Sequence, residues 1–371
     1  SKYEKKEISG VSHFLEHMLF KGNEDMNALE VNAAFDKTGA QFNAFTSEEN
    51  TVFYAAVLPE YLNEVTELWT GLLRPSLKNE DFEMEKNVIK EEIAMYQDMP
   101  SFDVMDQCRS LYFSNHPCGY SVLGTEESIE QMRLQQMKDY FSRRYNPNNI
   151  TAAFAGNLDW NSITELLGKR CASWQPADAT RDIIPHEGRK DFRHIKKENL
   201  VCQHLCLMSP SVSAQDSMRF AASVLSTVIG DDMGSRYFWQ ITDPAIAETA
   251  SMQLSAMDGA GILCSYFRCS PANSQKVIDT ADSIFKDLRE NGIKDREIEK
   301  AKNKIISAIV LKNELPMGRL IDLGANWTYL KEYKTVGSDI EDIKKVTKDD
   351  LYMLIDKFDL SSYTLLSMGP E

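Results

Sequence analysis

"GVSHFLEHMLFKG", residues 10–22, sets two histidines and a glutamate into an otherwise apolar stretch. Its hydrophobic spacing reads as a buried helix. On an α-helix, residues i, i+3 and i+4 share one face, so His13, Glu16 and His17 point the same way. Two imidazoles four residues apart can hold one metal ion through their ring nitrogens. A glutamate beside them can take a proton from an attacking water. H-x-x-E-H is the inverted form of the zinc-peptidase motif. The competing reading of these five residues is a core helix with two satisfied histidines.

A catalytic zinc usually takes three protein ligands, so a third is expected elsewhere. The segment 80–97 reads as a helix with an acidic start and a proline just beyond its end. At about 100° per residue, Phe82, Ile89, Ile93 and Tyr96 form an apolar stripe. Glu85 and Glu92 fall inside that stripe and Glu91 on the opposite face. A carboxylate on a buried face is costly unless paired or metal-bound. Glu92 is therefore the third-ligand candidate, and Glu85 a further acidic group that orients a ligand. The alternative is that this side of the helix stays wet.

The whole chain of 371 residues has room for about two domains of roughly 100–200 residues each. A net charge of −15 argues against nucleic acid or an anionic membrane as the main partner. No apolar run reaches the roughly 18 residues of a membrane span. Seven scattered cysteines read as free thiols in a reducing compartment, and the cytoplasm is the expected location, with the periplasm and the mitochondrial matrix left open. The chain opens without Met, so a targeting segment ahead of it stays open. Cys202 and Cys206 flank His204, but the segment reads as a strand and has no second ligand pair nearby.

Helical and strand patterns alternate through two stretches of similar size. In the first, a helix ends at Gly39. Residues 40–58 follow as a hairpin. Helices then run near 60–73, 80–97 and 126–145, and a strand covers 149–158. Residues 175–200 are polar, with two prolines and a glycine, and read as a linker. The second stretch predicts strands at 200–208, 247–255 and 261–269, and helices at 215–229, 272–291 and 295–313. The expected class is α+β: two similar domains, 1–182 with the metal site and 183–371, each a mostly antiparallel sheet packed with helices.

These blocks resemble the M16 metallopeptidases, the pitrilysin and insulinase clan. Its signature is H-x-x-E-H followed by a glutamate about 75 positions on, as from His17 to Glu92. "FNAFTSEENTVFY", "EKNVIKEEIAMYQDMP", "HPCGYSVLGTEESI", "YNPNNITAAFAGNLD", "GSRYF" and "GIKDREIEKAKNKI" extend the resemblance over nearly the whole chain. The resemblance implies first strands ahead of "SKYEKKE" that lie outside this sequence. The length resembles the shorter group, which includes mitochondrial processing peptidase, where one chain is half of a clamshell. The resemblance implies one Zn²⁺ per chain held by His13, His17 and Glu92, with Glu16 as general base and Glu85 as the additional acidic residue. It implies that "FNAFT" is an edge strand where Asn43, Ala44 and Phe45 meet an extended peptide substrate. Edge strands accept such peptides through free backbone groups.

One departure stands out. Family members often carry an Arg and a Tyr seven residues apart, after an "SRLF"-like block, that grip the substrate carbonyl and the oxyanion. Counted from Ser235, those positions hold Thr242 and Thr249. Arg236 and Tyr237 belong to the block itself. The expectation is a zinc endopeptidase completed by a homologous partner that has the pair and lacks H-x-x-E-H. A homodimer is the other arrangement. The competing function is a non-catalytic or weakly active peptide-binding or assembly subunit.

Overall fold

The computed structural model describes residues 1–371 apart from Asp182, Glu187 and Glu371. The chain divides into two compact units, residues 1–95 with 120–182 and residues 96–119 with 183–371. The single cut expected at 182/183 thus misplaces 96–119, which join the second unit.

The first unit opens with helix α1 (Val11–Leu19), the helix carrying both histidines. Every side chain of α1 except His17 is buried. The N-terminus of α1 is capped from a distance. The buried Glu4 carboxylate accepts the Gly10 and Ser12 N–H groups, each at 2.8 Å, satisfying donors that a helix start leaves orphaned. Gly10 takes φ +91°, and a Cβ there would lie 2.6 Å from the Leu123 carbonyl oxygen. Only glycine lets the chain turn into α1 at this point. Helix α2 (Ala28–Thr38) starts on an Asn27/Glu30 capping box and stops at Gly39, as its sequence predicts.

Strands β1 (Gln41–Thr46) and β2 (Thr51–Ala56) form the expected hairpin. Helices α3 (Leu62–Leu72), α4 (Asn79–Gln97) and α5 (Pro100–Phe113) follow, α5 lying in the second unit. Stacked Phe14 and Phe82 rings, 4.7 Å between centroids, fasten α1 to α4. Val31, Phe35, Val65, Leu68 and Leu72 make the core under the hairpin, with Phe20, Phe42 and Trp69 packed against it. The expected helix at 126–145 is two, α6 (Glu126–Gln131) and α7 (Leu134–Arg144). Met132 is extended and buried, and the Gln136 side chain accepts the Arg133 N–H to restart the helix. Helix α8 (Trp160–Arg170) ends this unit's elements. The strand expected at 149–158 is not formed. Ile150 has extended backbone, but the segment has no ladder partner among the described residues.

The second unit holds a five-stranded sheet of order β3-β7-β4-β6-β5. Its elements are β3 (Asp191–Lys196), β4 (Gln203–Pro210), α9 (Arg219–Gly230), β5 (Thr249–Met257), β6 (Ala260–Cys269), α10 (Ser274–Glu290), α11 (Asp295–Asn313), α12 (Pro316–Leu330), α13 (Val336–Lys345), α14 (Lys348–Lys357) and β7 (Thr364–Gly369). All pairings are antiparallel except β3 with β7. Strand β3 lies in the segment read as a linker. It is an edge strand, so its outward residues are polar or exposed and give no apolar alternation. The series helix, hairpin, helix, helix occurs in both units: α2-β1-β2-α3-α4 and α9-β5-β6-α10-α11. The mixed helix and sheet architecture is the expected α+β class.

Candidate metal centre

Helix α1 presents His13, Glu16 and His17 on one face, and α4 presents Glu85 and Glu92 toward them. His13 Nε2 lies 3.2 Å from His17 Nε2, and Glu92 Oε2 lies 3.6 Å and 3.5 Å from these two nitrogens. In a tetrahedral zinc site, ligand atoms about 2.0–2.1 Å from the ion stand roughly 3.3–3.5 Å apart. The triangle therefore has the size that one zinc ion requires. It is the one group of three or more metal-ligating side chains among the described residues. Glu91, one position away, is exposed.

Hydrogen bonding supports the same use. His17 Nδ1 donates to Glu85 Oε1 at 2.8 Å, which in the neutral ring leaves a lone pair on Nε2, facing the triangle. Glu85 is itself buried and pairs with Lys21 Nζ at 2.5 Å. His13 differs: its Nδ1 is buried without a hydrogen-bond partner among the described residues. Burial, with the charge of His17, pushes the His13 pKa down to about 3, so this ring is neutral at pH 7. Burial also lowers His17, but the Glu85 hydrogen bond and the nearby carboxylates more than offset it and carry His17 up. Burial raises Glu92 and Glu16 above the usual carboxylate range. In Glu85 the bonds to His17 and Lys21 outweigh burial and hold it low. Three carboxylates, one of them paired with Lys21, thus converge on two imidazoles, and a dication held by the triangle would offset the remaining negative charge.

The hairpin packs against α1. Strand β1 pairs only with β2 among the described strands, so its other edge has no strand partner. Asn43 and Phe45 lie on the exposed face of β1, and Ala44 is half-buried. Asn43 Oδ1 accepts the Ala44 N–H at 2.8 Å. The inward-facing Thr46 donates its hydroxyl to Glu16 Oε2 at 2.5 Å. Sequence reasoning missed Thr46 and Lys21. The alternation of "FNAFT", which places 42, 44 and 46 on one face, was the available signal for Thr46.

Thr242 closes a short π-helical turn, Phe238–Thr242, and Thr249 opens β5; both are half-buried. The neighbours Arg236 and Tyr237 serve the fold. Arg236 is buried, with Nε 2.9 Å from Glu297 Oε1 and Nη1 2.8 Å from Asp287 Oδ2. The Tyr237 hydroxyl lies 2.9 Å from Ser265 Oγ. None of the seven cysteines is in a disulfide among the described residues, and Cys202, His204 and Cys206 form no metal cluster there.

Family comparison defines a class first, the peptidases. Residues 1–126 match the description "Insulinase (Peptidase family M16)" and residues 131–305 match "Peptidase M16 inactive domain". The chain belongs to the M16, or insulinase, family. It is 30% identical to the Bacillus subtilis "Uncharacterized zinc protease YmxG", over 100% of this chain and 91% of that protein. In fold it is similar to a protease from Helicobacter pylori, with TM-score 0.88, 19% identity, and 100% and 92% of the two chains covered. It is also similar to a peptidase M16 inactive domain from Pseudomonas fluorescens, with TM-score 0.90, 17% identity and coverages of 98% and 89%. All the side chains of the triangle lie in the part matching the first description.

Proposed function

We propose that this chain is a zinc-dependent endopeptidase that cleaves extended or unfolded peptides inside a dimeric chamber. The observation that carries this reading is the His13–His17–Glu92 triangle with Glu16 on the same helix face. When bound there, zinc supplies Lewis acidity, polarising a carbonyl and making water a stronger acid. The chain's own residues do the rest. Glu85 fixes the His17 ring through Nδ1. Glu16 accepts a proton from the attacking water and returns it to the leaving amine. The open edge of β1 receives the substrate backbone, with Asn43, Ala44 and Phe45 in contact with it.

Thr242 and Thr249 supply neither guanidinium nor phenol, so a homologous partner is assigned the Arg/Tyr grip. Those two threonines also favour a second reading, a peptide-binding or assembly subunit with little activity. The test is cleavage of a quenched extended peptide by the zinc-loaded chain, alone and mixed with an Arg/Tyr-bearing homologue that lacks H-x-x-E-H. Rapid cleavage only in the mixture supports the proposal. Full-speed cleavage by the chain alone removes the need for a partner. Zinc binding without cleavage in either condition favours the second reading.

A further inference from the structure

The two oxygens of Glu16 have different surroundings. Oε2 accepts the Thr46 hydroxyl at 2.5 Å, and Oε1 has no hydrogen bond among the described residues. Thr46 Oγ1 also lies 3.2 Å from Thr51 Oγ1. A hydroxyl has one proton, and an ionised carboxylate only accepts. With the Thr46 proton on Glu16, the proton in the threonine pair comes from Thr51. The direction of the relay is therefore fixed: Thr51 to Thr46 to Glu16.

Thr46 and Thr51 are register partners in the last rung of the hairpin. A slip of one residue would turn Thr46 away from α1, so strand register itself places this hydroxyl. Behind the rung, Tyr145 sets its buried hydroxyl beside Thr51 without closing a hydrogen bond of good geometry. The relay is thus enclosed at its far end.

Resting on the peptidase reading above, we propose that Thr46, backed by Thr51, is a positioning residue. It ties down Oε2 so that Oε1 is the oxygen presented to the proton of the attacking water. Without that tether, the Glu16 carboxylate turns about its terminal torsion, a broad and shallow well.

The test separates aim from chemistry. The probe is acetohydroxamate, a small zinc chelator that gives its hydroxyl proton to a neighbouring base on binding. Its affinity for the zinc-loaded chain is measured by calorimetry, which needs no turnover. Thr46→Val should keep stoichiometric zinc and weaken acetohydroxamate roughly tenfold, the worth of one hydrogen bond to a charged group. Thr46→Ser, which keeps the hydroxyl, should stay within about threefold of the wild type, and Thr51→Val should fall between the two. In peptide cleavage the Thr46→Val loss should appear in kcat with KM unchanged.

Wild-type affinity in Thr46→Val, or a Thr46→Ser loss as large as that of Thr46→Val, overturns the assignment. Should Thr46→Val fail to fold, unchanged affinity in Thr51→Val does the same for the relay. Wild-type protein that takes up no zinc overturns the peptidase reading instead.

Discussion

His17 is the residue on which the centre turns, because both of its nitrogens are engaged. Nε2 faces His13 and Glu92 while Nδ1 is held by Glu85, which is held in turn by Lys21. Removing such an orienting carboxylate typically weakens metal binding by about 10–100-fold. Glu85→Gln should therefore bind zinc within that range below the wild type, measured by competition with a chelator. Unchanged affinity would show that Glu85 does not orient His17. This much was legible in the sequence, since angular position on one helix separates Glu85 and Glu92 from Glu91. Thr46 and Lys21 were less so. Thr46 meets Glu16 across 30 positions of chain, and only the packing of the hairpin on α1 brings them together.

At the scale of elements, α1 depends on contacts outside itself. Its first N–H groups end on Glu4, and its entry turn needs the positive φ of Gly10. A Gly10→Ala variant meets a backbone carbonyl and an unfavourable φ together. It should lower stability by about 2 kcal/mol or more in denaturant titration. Zinc affinity should drop with it, because α1 carries two of the three ligands. Wild-type stability would mean that the turn relaxes. The elements that the sequence misrepresents share one cause. A strand is defined by its neighbour, and local pattern does not show the neighbour. Residues 149–158 alternate like a strand but have no strand partner among the described residues, whereas polar 191–196 pair with β7.

At the scale of the molecule, the second unit is tied by charge as well as by its core. Buried Arg236 bridges α10 and α11 through Asp287 and Glu297 and donates to the Gly292 carbonyl. Burial raises Glu297, but the bonds from Arg236 and the Lys294 N–H, with the charges of both residues, bring it below the usual carboxylate range. A carboxylate depressed in the folded state stabilises above its unfolded pKa, and that contribution is lost as pH falls through the folded value. Arg236→Leu should cost on the order of 2 kcal/mol at pH 7. Its gap from the wild type should narrow as the pH drops below about 4. A gap that does not change with pH would show that the Arg236 bonds do not depend on the Glu297 charge. The resemblance of the two units in element order was visible in the sequence rhythm. The segment 96–119, which leaves the first unit to join the second, was not, because nothing local marks it.

The central claim is that one zinc ion sits between α1 and α4 and that Glu16 is the base beside it. The most direct test combines metal content with peptide hydrolysis for the wild type and Glu16→Gln, each with any partner that activity requires. The account predicts one zinc per chain in both proteins, with hydrolysis about 10²–10⁴-fold slower in the variant. Hydrolysis at the wild-type rate by Glu16→Gln, or absence of stoichiometric zinc in the wild type, would contradict it.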